Sequence, residues 1–106
     1  MRDLIVGKNR ASTSPGGGVL RVVARAPGEV VLRCARFTCE GCRRRVRAAL
    51  EGSRGVVAVE DVGTEEMAVG HVPARLSATG IAETARRALE ADPSNPAPVT
   101  VTYDEL

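Results

Sequence analysis

Aromatic side chains are almost missing from this 106-residue chain: Phe37 and Tyr103 are the only two, and there is no Trp. A reader of single-stranded nucleic acid needs stacking platforms, so nucleic-acid binding is not expected. Long apolar runs are missing as well. None approaches the roughly 20 residues that span a bilayer, so no membrane insertion is expected. Histidine is reduced to His71, and a closed structural zinc site wants four N or S ligands that this chain does not offer from a second Cys pair. Lysine is reduced to Lys8, whereas Arg is abundant. A secretory leader needs a 7 to 15 residue apolar segment; residues 4–6 are apolar, but Gly7, Lys8 and Asn9 follow at once. A cytoplasmic location is the default expectation, although the Arg- and Ser-rich, acid-poor composition of residues 10–25 also suits an organelle transit peptide.

What is present fits one small domain. The apolar fraction of 43% and charged fraction of 26% are those of a globular protein, its core built from Val, Ala, Leu and Ile. The net charge of +2 hides a local concentration. Residues 36–54 hold Arg36, Arg43, Arg44, Arg45, Arg47 and Arg54 against Glu40 and Glu51, a local +4 that leaves about −2 for the remainder. Such a stretch can steer an acidic partner.

Residues 1–18 end in Ser, Pro and Gly and read as a flexible N-terminal tail. Residues 19–28 read as an extra strand followed by a Pro27-Gly28 turn, and residues 29–37 as a second strand with Val30, Leu32 and Cys34 on one face. A helix follows, beginning between Cys39 and Cys42, because Cys42, Val46, Ala49 and Leu50 share one helical face; Gly52 and Gly55 stop it. Residues 56–62 and 67–72 read as strands, residues 77–91 as a second helix capped by Ser77 or Thr79, and residues 98–103 as a last strand. From Glu29 the order is β-α-β-β-α-β. It predicts an α+β, ferredoxin-like βαββαβ sandwich over residues 29–106, an antiparallel sheet with two helices on one face and an N-terminal extension.

The chemistry centres on Cys39-Glu40-Gly41-Cys42 at the strand-to-helix junction. Two soft thiolates at this spacing converge on one ion, Gly41 allows a tight backbone path, and the helix N-terminus stabilises a thiolate. With no further soft ligand nearby, the pair suits low-coordinate Cu(I) best; Zn(II), Cd(II) and Hg(II) are alternatives. Cys34, on the inward face of its strand, reads as a small core residue, and His71 as a surface or edge residue.

Residues 30–50, VVLRCARFTCEGCRRRVRAAL, resemble the heavy-metal-associated domain family. That family's pattern is an alternating strand, then Gly-Met-Thr-Cys-x-x-Cys, then Val and Leu four and eight residues beyond the second Cys. Thr38, Cys39, Cys42, Val46 and Leu50 match it, as do Gly55, Val56, Val59, Val69 and Pro73 later on. Arg36-Phe37 replaces Gly-Met, with Phe37 an apolar stand-in for the Met under the metal loop. The resemblance implies a non-enzymatic metallochaperone-like module that transfers Cu(I) by ligand exchange, with Thr38, Phe37 and Gly41 supporting the loop.

Arg43, Arg44, Arg47, Arg86 and Arg87 are the candidate docking residues for an acidic partner protein or a metal-transporting ATPase domain. The chain is expected to be a monomer or a metal-bridged dimer. The rival readings are a protein-interaction module of the same fold in which metal is incidental, and a thiol–disulfide oxidoreductase.

Overall fold

Leu20 and Val22 point the same way from the run VLRVVARA, and Val30 and Leu32 do so from EVVLR, so two adjacent segments each carry an apolar edge. The computed structural model describes residues 18–104 and joins these segments as a hairpin, β1 (Val19–Ala26) with β2 (Glu29–Arg33). Pro27 and Gly28 make the turn between the paired Ala26 and Glu29. Gly28 has φ +83, and a Cβ there would come within 3.0 Å of the His71 carbonyl, so glycine is required twice over. Of the expected tail, residues 1–18, Gly18 is described, its carbonyl accepting from the Thr100 amide at 3.1 Å, and residues 1–17 lie outside the described residues.

A 3-10 turn (Ala35–Thr38) leads into α1 (Glu40–Glu51), followed by β3 (Val56–Gly63), β4 (Glu66–His71), α2 (Ala78–Glu90) and β5 (Thr100–Asp104). Ser77 caps α2, its hydroxyl accepting from the Gly80 amide at 3.1 Å. The strands lie in the order β3-β4-β2-β1-β5. All neighbours are antiparallel except β1 and β5, which run parallel from Val19↔Thr100 to Val23↔Asp104.

The fold is therefore α+β with a five-stranded mixed sheet, and the expectation of an antiparallel βαββαβ sheet is corrected in strand count and order. β1 is the expected extra strand and Pro27-Gly28 its expected turn, and the strand joins the sheet itself. It fills the place next to β2 that the last strand would occupy, because a two-residue turn brings it there at little cost in loop entropy. β5 then pairs on the far side of β1.

Both helices cover one face. Leu20, Val22, Val30, Leu32, Val59, Met67 and Val69 of the sheet form one buried cluster with Val46 and Leu50 of α1 and Ile81, Ala85 and Leu89 of α2. Each such Leu, Ile or Val contributes roughly 1.5–3 kcal/mol through burial. Val31 and Ala68, paired across β2 and β4, are buried on the opposite face. Ion pairs Arg21–Asp104 and Arg33–Glu66 flank them on that face. Among the described residues no helix is long and apolar enough to cross a membrane.

Candidate functional site

The second strand ends at Arg33, four residues short of the expected end at Phe37. Cys34 is still extended, but its carbonyl accepts from the Phe37 amide at 3.0 Å and the Arg36 carbonyl accepts from the Cys39 amide at 3.0 Å. These i to i+3 bonds wind the chain into the 3-10 turn. The Thr38 hydroxyl donates to the Ala35 carbonyl at 2.9 Å and closes it. Alternation of apolar residues cannot register such a turn, and that is why it was missed. It drives Phe37 fully into the core and sends Arg36 beneath the cysteines.

Cys39 is itself the N-cap of α1: its sulfur accepts from the Cys42 amide at 3.4 Å. Cys39 is exposed, whereas Cys42, one turn inward on the apolar stripe with Val46 and Leu50, is buried. The two thiols titrate apart. The Cys39 thiol is held below its ordinary value, first by the Cys42 amide, then by the Cys42 thiol and the Gly41 amide. Burial pushes the Cys42 thiol up, and its hydrogen bond to Cys39 adds to the rise. The site thus holds an exposed incipient thiolate and a buried proton donor.

Two charged groups that the sequence reading did not place here complete it. Arg36 Nη2 donates to Cys42 Sγ at 3.7 Å, to the Leu89 carbonyl at 3.2 Å and to the Asn95 carbonyl at 3.4 Å. Asp92 Oδ2 stands 3.7 Å from Cys42 Sγ and 3.5 Å from Arg36 Nη2. Its other oxygen accepts from the Ser94 amide at 2.9 Å and hydroxyl at 2.8 Å, the bonds that chiefly hold the carboxyl below its usual range. The signals were present: Arg36 is the departure from Gly-Met, and Asp92-Pro93-Ser94 follows the end of α2. Taken only as a helix stop, the latter segment gave no hint of reaching the cysteines.

Gly41 has neither a positive φ nor a crowded Cβ position; an added methyl would meet only Cys39 Sγ, at 3.9 Å. The tight path expected of it is not needed, because the residue lies in the first turn of a regular helix. Cys34 is a core residue, as read, with its thiol pushed up by burial. His71 is buried rather than at the surface, and its Nδ1 bonds the Leu76 carbonyl at 2.7 Å. Its place on the inward side of β4 overrides its polarity once that bond is made. Among the described residues no group of three or more His, Cys, Asp or Glu side chains is arranged to hold a metal ion.

The arginines divide by role. Arg43 donates to the Phe37 carbonyl and, at 2.9 Å, to the Thr64 carbonyl, and Arg47 donates to the Val59 carbonyl at 2.8 Å and pairs with Asp61 at 3.0 Å. Both clamp α1 and its leading turn to the sheet. Arg44 pairs with Glu40, and Arg86 with Glu83 and Glu90. Arg87 and Arg45 are exposed and make no ion pair among the described residues, although Arg45 acts electrostatically on Asp92.

Compared with protein-family models, curated proteins and solved structures, the chain matches none.

Proposed function

We propose that the chain is a non-enzymatic carrier of a soft metal ion, Cu(I) foremost, held by Cys39 and Cys42 and passed to a partner protein in the cytoplasm. One observation carries this reading. Two thiols tied by the Cys42 amide, which donates to Cys39 Sγ at 3.4 Å, sit at the mouth of a helix, one disposed to ionise and solvent-exposed, the other anchored in the core. The donor set fits a soft, low-coordinate ion: two sulfurs, with no third Cys or His at the site. Resemblance of residues 30–50 to the heavy-metal-associated family supports the same conclusion.

Metal uptake displaces the proton of Cys42, and Asp92 and the exposed Cys39 side give it a way out. In transfer, an incoming thiolate from the partner adds to the ion from the solvent side. A three-coordinate bridge forms, and Cys39, the accessible ligand, leaves first. Among the described arginines of the two helices, Arg45 and Arg87 are exposed and outside the ion pairs that engage Arg43, Arg44, Arg47 and Arg86, and they are the ones placed to steer an acidic partner. Such steering raises the encounter rate more than the affinity.

The test is the metal content of the chain purified without added metal and without oxygen. The expected result is about one soft ion per chain, lost in Cys39→Ala and in Cys42→Ala. A full complement of metal in both variants would overturn the assignment.

The same asymmetry favours one second reading, thiol–disulfide exchange. The Cys39 thiolate would attack a substrate disulfide and expel one thiol, and Cys42 would then displace the second, leaving a Cys39–Cys42 disulfide and a reduced substrate. Catalytic turnover of insulin disulfides with a supplied reductant would support it over metal carriage; absence of turnover removes it.

A further inference from the structure

We propose that Arg36 makes this Cys pair selective for a monovalent soft ion over a divalent one, by neutralising the charge left on the two-thiolate complex. The inference rests on the metal-carrier reading above and adds a residue that sets which ion is carried.

Two thiolates bring two negative charges. A monovalent ion leaves one uncompensated and a divalent ion leaves none. On the exposed side water can screen that residual charge, but Cys42 is buried, and a buried charge is costly unless a partner neutralises it. Arg36 is placed to do so. Its Nη2 is 3.7 Å from Cys42 Sγ, and only 9% of its side chain is exposed.

What holds Arg36 does not satisfy it. The Leu89 and Asn95 carbonyls fix its position but carry no net charge. Asp92 does carry one, yet its other oxygen is bonded to Ser94 and it also faces the exposed Arg45. Meanwhile Arg36 Nη1 is buried with no hydrogen-bond partner among the described residues. An orphaned guanidinium nitrogen is rare because it costs free energy, and one on a guanidinium whose other nitrogen touches Cys42 Sγ points to an anion that forms there. The anionic two-thiolate complex is that anion. Asp92, at 3.7 Å from the same sulfur, works against it, so the two residues should shift selectivity in opposite directions.

The experiment measures Cu(I) affinity against a competing chelator and Hg(II) affinity against glutathione, without oxygen, for the full chain and for Arg36→Met, Arg36→Lys and Asp92→Asn. Folding of each variant is checked by thermal melting. The expected result is that the Cu(I) to Hg(II) affinity ratio falls about tenfold in Arg36→Met, is largely restored in Arg36→Lys, and rises in Asp92→Asn. A merely structural role would weaken both ions alike and leave the ratio unmoved.

A folded Arg36→Met with the ratio of the unaltered chain overturns the inference and leaves the carrier reading standing. If Arg36→Met does not fold, Asp92→Asn decides, and an unchanged or lowered ratio there overturns it equally. An unaltered chain that takes up neither ion overturns the carrier reading itself, and the selectivity goes with it.

Discussion

Arg43 donates to the Phe37 carbonyl from two nitrogens, Nε at 3.0 Å and Nη2 at 2.6 Å, so a residue just inside α1 grips the turn that precedes it. The grip locks Phe37 in the core and fixes where Cys39 leaves the turn. A planar fork suits this role and an ammonium does not. Arg43→Met should therefore destabilise the chain by about 1–3 kcal/mol, and Arg43→Lys should recover little of it. Urea unfolding with an unchanged slope is the measurement, and a loss below a few tenths of a kcal/mol would show that the turn holds itself.

The two site thiols should react very differently. Cys39 is exposed and held low by the Cys42 amide, so iodoacetamide at neutral pH should modify Cys39 first and Cys42 slowly. In Cys42→Ser the Cys39 midpoint should stay below that of an ordinary thiol, because the main cause, the backbone amide, remains. Mass mapping of the alkylated peptides decides it.

Stability against pH follows from the same shifts. Cys39, with a lowered folded value, adds stability that is complete above the ordinary thiol value of about 9 and is lost as pH falls through its folded value. Cys34 and Cys42, both raised by burial, act in the other direction: they cost nothing below about 9 and withdraw stability as pH rises beyond it toward their folded values. Two raised groups against one lowered predict a melting temperature that declines above pH 9. In Cys34→Ala that decline should be shallower.

β1 lies between β2 and β5, so a chain beginning at Glu29 would lose an interior strand along with Leu20 and Val22. It should fail to fold cooperatively, as circular dichroism melting would show; a cooperative melt would mean that β5 can move over to pair with β2.

Gly41 offers a contrasting case. With no positive φ and room for a methyl, Gly41→Ala should stabilise α1 by about 0.4–1 kcal/mol and leave metal uptake unchanged. Loss of uptake in this variant would restore the case for a tight backbone path.

Periodicity made most of the fold legible before any coordinates. The apolar stripe of Cys42, Val46 and Leu50 and that of Ile81, Ala85 and Leu89 are the buried faces of the two helices. Pairing across the sheet was beyond its reach. Nothing in the alternation of β1 says whether its neighbour is β5 or solvent, since parallel pairing to Thr100–Asp104 is decided by what else has already taken the edge of β2. The Cys pair could be read from spacing because both members lie within four residues. Arg36 and Asp92 could not, because they meet through a turn and the end of a helix more than 50 residues further along, where chain distance carries no signal. The arginines mislead for a related reason: a cluster in sequence looks like a charged surface, yet Arg43 and Arg47 spend their donors on backbone carbonyls.

Anaerobic titration with Cu(I) against a competing chelator decides whether Cys39 and Cys42 together hold one soft ion. One ion per chain is expected for the unaltered protein and for Cys34→Ala, with loss of chelator-resistant binding in Cys39→Ala and in Cys42→Ala. Undiminished binding in both of those variants, or its loss only in Cys34→Ala, would refute the two-thiolate site.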